Sequence, residues 1–171
     1  AEPGVPVAAA DSRDFRPWTG IVRDLPPQVR KLDVAYPQGF VLRGVEVLDA
    51  DAVAGGKLRM RYYVQLPTSL RKLSRISIKT GFTEAGNVVF ESGPSLIEAV
   101  NMNAFLFDRH DDVYVLDIAA DVPLNDGKGG DYGLAITVRS TSGRRLSGRD
   151  PDGGKVHRIH LRGLTVRSVP N

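Results

Sequence analysis

The sequence predicts an all-β protein: one antiparallel β-sandwich, Ig-like or jelly-roll, with eight or nine strands and at most one short helix. Three observations carry this. Residues 57–66, KLRMRYYVQL, alternate without a fault, with Leu58, Met60, Tyr62, Val64 and Leu66 on one parity. A period of two is a half-buried strand with its apolar set facing a core. Comparable runs recur at roughly ten-residue spacing between Gly/Asp/Asn turns, the rhythm of a sandwich. No segment carries an apolar stripe of helical period, and only GPSLIEAVNMN (93–103) leaves room for a short helix.

In chain order, the first 30 residues contain Pro3, Pro6, Pro17, Pro26 and Pro27 and read as a poorly ordered lead-in, with RDLPPQ as its extended connector. The sandwich domain is then expected over 31–171. KLDVAY sets Leu32, Val34 and Tyr36 on one side, and PQG turns the chain. FVLRGVEVL follows, with a bulge expected at Gly44, where the alternation slips. The quoted strand comes next and ends at Pro67. RISIKTGF directs Ile76, Ile78 and Thr80 inward, EAGN is a turn, and VVFES is a further strand. DVYVLDIAA is apolar on both parities as far as Asp117, which suits a strand covered on both faces. After the long turn LNDGKGGD, YGLAITV points Tyr132, Leu134, Ile136 and Val138 inward. KVHRIHLRGLTVRS changes parity at Gly163, a second bulge.

The chain has 171 residues, 42% apolar and 25% charged, and suits one soluble globular domain with a real core. No apolar run approaches the ~18 residues of a membrane helix, so no membrane-spanning segment is expected. Without Cys, disulfides, thiolate zinc sites and Cys nucleophiles are excluded together. The net charge is +3, unevenly placed: residues 84–131 hold ten acids against Arg109 and Lys128, and residues 132–171 hold eight bases against Asp150 and Asp152. Such interleaving suits attraction between strands better than the single basic face of a nucleic-acid binder, so no nucleic-acid partner is expected.

Motifs for chemistry are sparse. There is no nucleophile elbow, zinc-protease motif or phosphate loop; the Gly–Lys runs read as hairpin turns. FDRHDD (107–112) places Asp108, His110, Asp111 and Asp112 within five residues, a donor set suited to calcium or another divalent ion. It lacks EF-hand spacing, and a solvated loop closed by an Asx turn explains the same residues. No metal and no cofactor are therefore assigned. His157 and His160, three apart on a strand, face opposite ways. The Glu residues are scattered, and the expectation is a non-enzyme.

What remains is a surface. The outward row of the quoted strand, Arg59, Arg61, Tyr63 and Gln65, combines guanidiniums, a phenol and an amide, the groups that orient a glycan or protein ligand. If RISIKT lies beside it, Arg75 and Lys79 extend the row. The competing reading is internal: carboxylates of 84–131 pair with Arg59 and Arg61 across strands. The contact surface is the preferred reading of the two.

Residues 40–66 (FVLRGVEVLDADAVAGGKLRMRYYVQL), then GNVVF, then DYGLAITVRSTSGRRL, follow an order that resembles accessory carbohydrate-binding β-sandwich domains of bacterial surface-polysaccharide glycosyltransferases and O-antigen export ATPases. The resemblance covers about residues 40–146, at turn and core positions, and transfers no ligand residue. It implies a non-catalytic module of the bacterial cell envelope, periplasmic or extracellular, that recognises a glycan or docks onto polysaccharide-handling machinery. A structural or assembly subunit that binds another protein through a sheet face or edge, and a metal-dependent enzyme built on the 107–112 loop, are the alternatives. Seventeen Arg against six Lys fits a GC-rich bacterial source.

Overall fold

A computed structural model describes residues 18–37, 39–48, 52–65, 76–93, 95–97, 113–140 and 142–170. Among them the chain is nearly all β, with one 3₁₀ turn at Asn125–Gly127 and no α-helix. The strands are β1 Trp18–Val22, β2 Arg30–Ala35, β3 Val41–Val47, β4 Ala52–Val53, β5 Lys57–Gln65, β6 Ile76–Glu84 and β7 Asn87–Glu91. They continue with β8 Ser95–Ile97, β9 Val113–Asp121, β10 Gly130–Ser140, β11 Gly148–Arg149, β12 Lys155–Val156 and β13 Ile159–Arg167. Four of these strands, β4, β8, β11 and β12, have only two or three residues.

Two sheets result. The seven-stranded sheet runs β1-β9-β5-β3-β2-β11-β12; the six-stranded sheet runs β4-β13-β10-β6-β7, with β8 also on β6. One parity of each sheet enters a common core: Leu58, Met60, Tyr62 and Val64 of β5 meet Ile76, Ile78 and Phe82 of β6 and Leu134, Ile136 and Val138 of β10 in one cluster. Among the described residues, the inward residues expected from alternation on these strands are buried, and Leu66 lies outside the described residues. Tyr132 meets Phe82 edge to face at 5.9 Å, the geometry that ring quadrupoles favour.

Both expected bulges are present. The β3–β5 register shifts between Leu42 and Gly44, and the β10–β13 register shifts opposite Gly163. Gly163 has φ +82, a left-handed conformation that glycine adopts without steric cost. At Gly44 the reason is space: a Cβ there would lie 2.5 Å from Val29 Cγ1.

Four expectations need correction. Trp18–Val22 lies within the presumed lead-in, yet it pairs antiparallel with β9 as an edge strand. The backbone ladder overrides the low-complexity look of the segment before it. Between β1 and β2 stand three other strands of the same sheet, so the connection must travel about four strand spacings, ~19 Å. RDLPPQV (23–29) makes that journey across the outer face, turning where the Val29 amide donates to the Pro26 carbonyl. Second, the sheets are not purely antiparallel: β13 pairs parallel with β4. Third, of the stretch offered for a helix, Ser95–Ile97 is β8 on β6, and residues 98–103 lie outside the described residues. Fourth, β6 belongs to the other sheet from β5, so Lys79 does not extend the β5 row.

Candidate functional site

The β5 row was the predicted site, and its surroundings decide its role. β5 sits between β3 and β9, with Arg61 opposite Glu46 on one side and Asp117 on the other. This acid–base–acid ladder is closed: Arg61 Nε donates to Asp117 Oδ1 at 2.8 Å and Nη2 to Oδ2 at 3.1 Å, a bidentate pair. The hydrogen bonds to Asp117 hold the Arg61 pKa above its ordinary value.

Tyr63 is 1% exposed. It packs with Val22, Val29, Val113 and Val115 in a second apolar cluster, with Leu25 against it, beneath the 23–29 crossover. Its hydroxyl donates to Glu46 Oε2 at 3.1 Å. Burial, together with the nearby Glu46 carboxylate, pushes the phenol up to about 12. Gln65 accepts from Arg43 Nη1 at 3.0 Å, and Arg43 also pairs with Asp33. Arg59 is exposed and has interactions of its own. The preferred contact surface is therefore corrected at Arg61 and Tyr63: one is paired across the strands and the other lies under a crossover. Lys57 pairs with Asp121 at the end of the same strand. This outer face is internally matched.

The outer face of the six-stranded sheet differs. The residues that alternate with the core positions are small: Ser77, Gly81 and Thr83 on β6, and Gly133, Ala135 and Thr137 on β10. The registers Ala135↔Gly81, Gly133↔Thr83 and Thr137↔Lys79 place them side by side as a floor in which Ser77, Gly81, Thr83, Ala135 and Thr137 are buried. The tight spacing is built in: a Cβ on Gly81 would stand 3.2 Å from the Ala135 carbonyl oxygen, and one on Gly133 only 2.5 Å from Thr83 Oγ1.

Long side chains stand around that floor. Lys79 Nζ lies 2.9 Å from Glu91 Oε2, and Arg139 Nη2 lies 3.8 Å from the same oxygen. Arg139 Nε also donates to Thr137 Oγ1 at 3.3 Å. His160 is opposite Ala135 on β13, and the exposed Arg158 and Arg162 share its parity before the bulge. The Lys79 hydrogen bond, and then the charges of Lys79, Arg139 and Arg158, hold the Glu91 carboxyl below the usual range. Two cations, Lys79 and Arg139, thus stand against the Glu91 carboxylate, and Asp131 shares the outward parity of β10. Among the described residues, Arg158 and Arg162 form no ion pair.

Of the sequence-derived residues, Lys79 alone belongs to this face; Arg59, Arg61, Tyr63 and Gln65 lie on the other sheet. Arg75 and the cluster Asp108, His110, Asp111 and Asp112 fall outside the described residues, among which no group of three or more His, Cys, Asp or Glu is placed to hold a metal. Arg139, Arg158 and Glu91 were missed. The signal available was the run of small residues at alternate positions of YGLAITV and RISIKTGF, an unusual outward parity for solvent-facing strands. No helix is long and apolar enough to cross a membrane among the described residues. No family model matches the chain, and no curated protein matches it in sequence.

Proposed function

We propose that the two sheets form a non-catalytic β-sandwich module of the bacterial cell envelope, periplasmic or extracellular, that recognises a glycan, with the outer face of the six-stranded sheet as its platform. One observation carries this reading: Lys79, Arg139 and Glu91 stand together on this face as directed polar groups, with the exposed Arg158, His160 and Arg162 along its β13 side. Ammonium, guanidinium, imidazole and carboxylate groups so placed can hydrogen-bond the hydroxyls of a saccharide and fix its orientation. The resemblance of residues 40–146 to accessory domains of polysaccharide machinery points the same way. On β5, Tyr63 is buried and Arg61 is paired with Asp117.

The experiment is a glycan array probed with the purified chain, beside the double variant Arg158→Glu with Arg162→Glu, which reverses the charge of two exposed positions beside His160. Binding to a defined glycan class by the parent chain, lost in the variant while its melting temperature stays near the parent's, is the expected result. Retention of binding by the variant would move the site elsewhere. Capture of a protein partner through a sheet edge, with no glycan bound, would favour the assembly-subunit reading.

A further inference from the structure

We infer that the backbone edge of β13 over residues 159–163 takes an extended segment of a partner protein as an added strand, one in which acidic and apolar residues alternate. The inference concerns a sheet edge and does not rest on the glycan reading. On one side β13 pairs with β10 both before and after the Gly163 bulge. On the other side β4 pairs with it only at Val166 and Arg167, beyond the bulge. Among the described residues, no strand meets the remaining half of that side. Two close approaches fix the backbone direction there. The Ala135 carbonyl oxygen turns toward β6, 3.2 Å from where a Cβ on Gly81 would stand. The Leu161 carbonyl oxygen turns toward β10, 3.2 Å from where a Cβ on Gly133 would stand. Alternation along the strand then aims the N–H and C=O groups of His160 and Arg162 away from β10, toward the open side.

The side chains along this edge say what the added strand carries. Arg158, His160 and Arg162 share the outward parity and are exposed, and among the described residues neither arginine forms an ion pair. The carboxylates nearest them on this face are held elsewhere: Glu91 by Lys79 and Arg139, and Asp131 by the Thr165 hydroxyl, which donates to it at 3.1 Å beyond the bulge. An outward acid on the added strand stands beside His160 or Arg162, the cross-strand position in which opposite charges attract. Its inward neighbours stand beside Leu161, which is half-buried against the core, so those positions favour apolar residues. The same charges reject a second copy, because two such edges side by side set arginine against arginine. Protection from self-pairing and preference for an acidic strand have one cause.

The test titrates the purified chain with blocked peptides of about six residues, an ordinary strand length. The first alternates Asp with Val. The second has the same residues as an Asp block followed by a Val block, the third alternates Lys with Val, and the fourth is the first with its backbone amides N-methylated. The expected result is binding of the first peptide, weakened by salt, with slower hydrogen exchange at the His160 and Arg162 amides. The Lys peptide should not bind, and the block-ordered and N-methylated peptides should bind about tenfold more weakly or worse. Arg158→Glu with Arg162→Glu should weaken the first peptide several-fold while the melting temperature stays near the parent's. Equal binding of the N-methylated peptide would show charge attraction without strand addition and overturn the inference. Protection of β7 amides in place of His160 and Arg162 would also overturn it. Binding that appears only after Asp108→Asn, Asp111→Asn and Asp112→Asn would mean that the chain's own acids serve this edge, and would overturn a partner. Binding of no peptide by either chain would overturn it as well. The glycan array reads none of these contrasts, so the two readings fail separately.

Discussion

Tyr63 shows how a single residue changes role once its neighbours are known. Its parity marks it as outward, yet it is covered, and its hydroxyl is bonded to Glu46. Tyr63→Phe keeps the ring and loses the hydrogen bond, so chemical denaturation should report a loss of about 1 kcal/mol. Tyr63→Ala also empties the second cluster, and a loss of about 3 kcal/mol or more is expected. A small effect of the alanine variant would return Tyr63 to the surface. The buried phenols also set an alkaline limit. Burial raises Tyr36 and Tyr63 to about 12, above the ordinary value of 10.0. Because their folded pKa is raised, their contribution is full below pH 10 and is lost as pH climbs through 12. Melting temperature should therefore hold up to about pH 10 and fall between there and 12, together with the appearance of tyrosinate absorbance. Replacing both by Phe should make that limb shallower, with the fully buried Tyr62 phenol, also raised by desolvation, keeping the remainder.

At the scale of elements, the bulges and the crossover are linked. Gly44 lets β3 slip its register, and the space above it is filled by Val29 and Leu25 of the 23–29 connection. A methyl group there meets Val29 at 2.5 Å and the Arg30 carbonyl oxygen at 3.0 Å. Gly44→Ala should therefore cost about 2 kcal/mol, in the range of an overpacked site, and should loosen the crossover. Hydrogen exchange at β1 and β2 amides would reveal the loosening. Gly163→Ala tests a different cause. Nothing lies within 4 Å of the added methyl, so only the positive φ opposes it. A loss of about 1 kcal/mol without faster exchange elsewhere is expected. If the two variants behaved alike, the distinction between contact and backbone conformation would fall.

At the scale of the whole molecule, one core joins the two sheets, and their outer faces differ in what covers them. Val64 lies in that core, 4% exposed, on a strand hydrogen-bonded on both sides. Val64→Asp places a carboxylate among apolar groups and costs several kcal/mol, comparable with total stability. The chain should fail to melt cooperatively, judged by calorimetry. A cooperative transition near the parent temperature would show that the sheets do not share this core. One outer face is closed by the crossover and by Arg61–Asp117; on the other, Lys79 and Arg139 share Glu91.

The sequence by itself determined the β class, the parity of β5, β6 and β10, and both bulges. These are local properties: a period of two and a glycine where the period breaks are written in neighbouring residues. It also held the acidic segment that pairs with Arg61, as one of two readings it could not separate. Only the tertiary structure decided which strands are neighbours, and that choice reassigned the surfaces. Placing β6 in the other sheet separated Lys79 from Arg61; carrying 23–29 across three strands buried Tyr63; bringing β7, β10 and β13 around β6 gathered Glu91, Arg139 and Arg158, distant in sequence, around one floor. Alternation says which way a side chain points, while pairing between distant strands says what stands beside it. The second is set by long-range packing that no local pattern encodes.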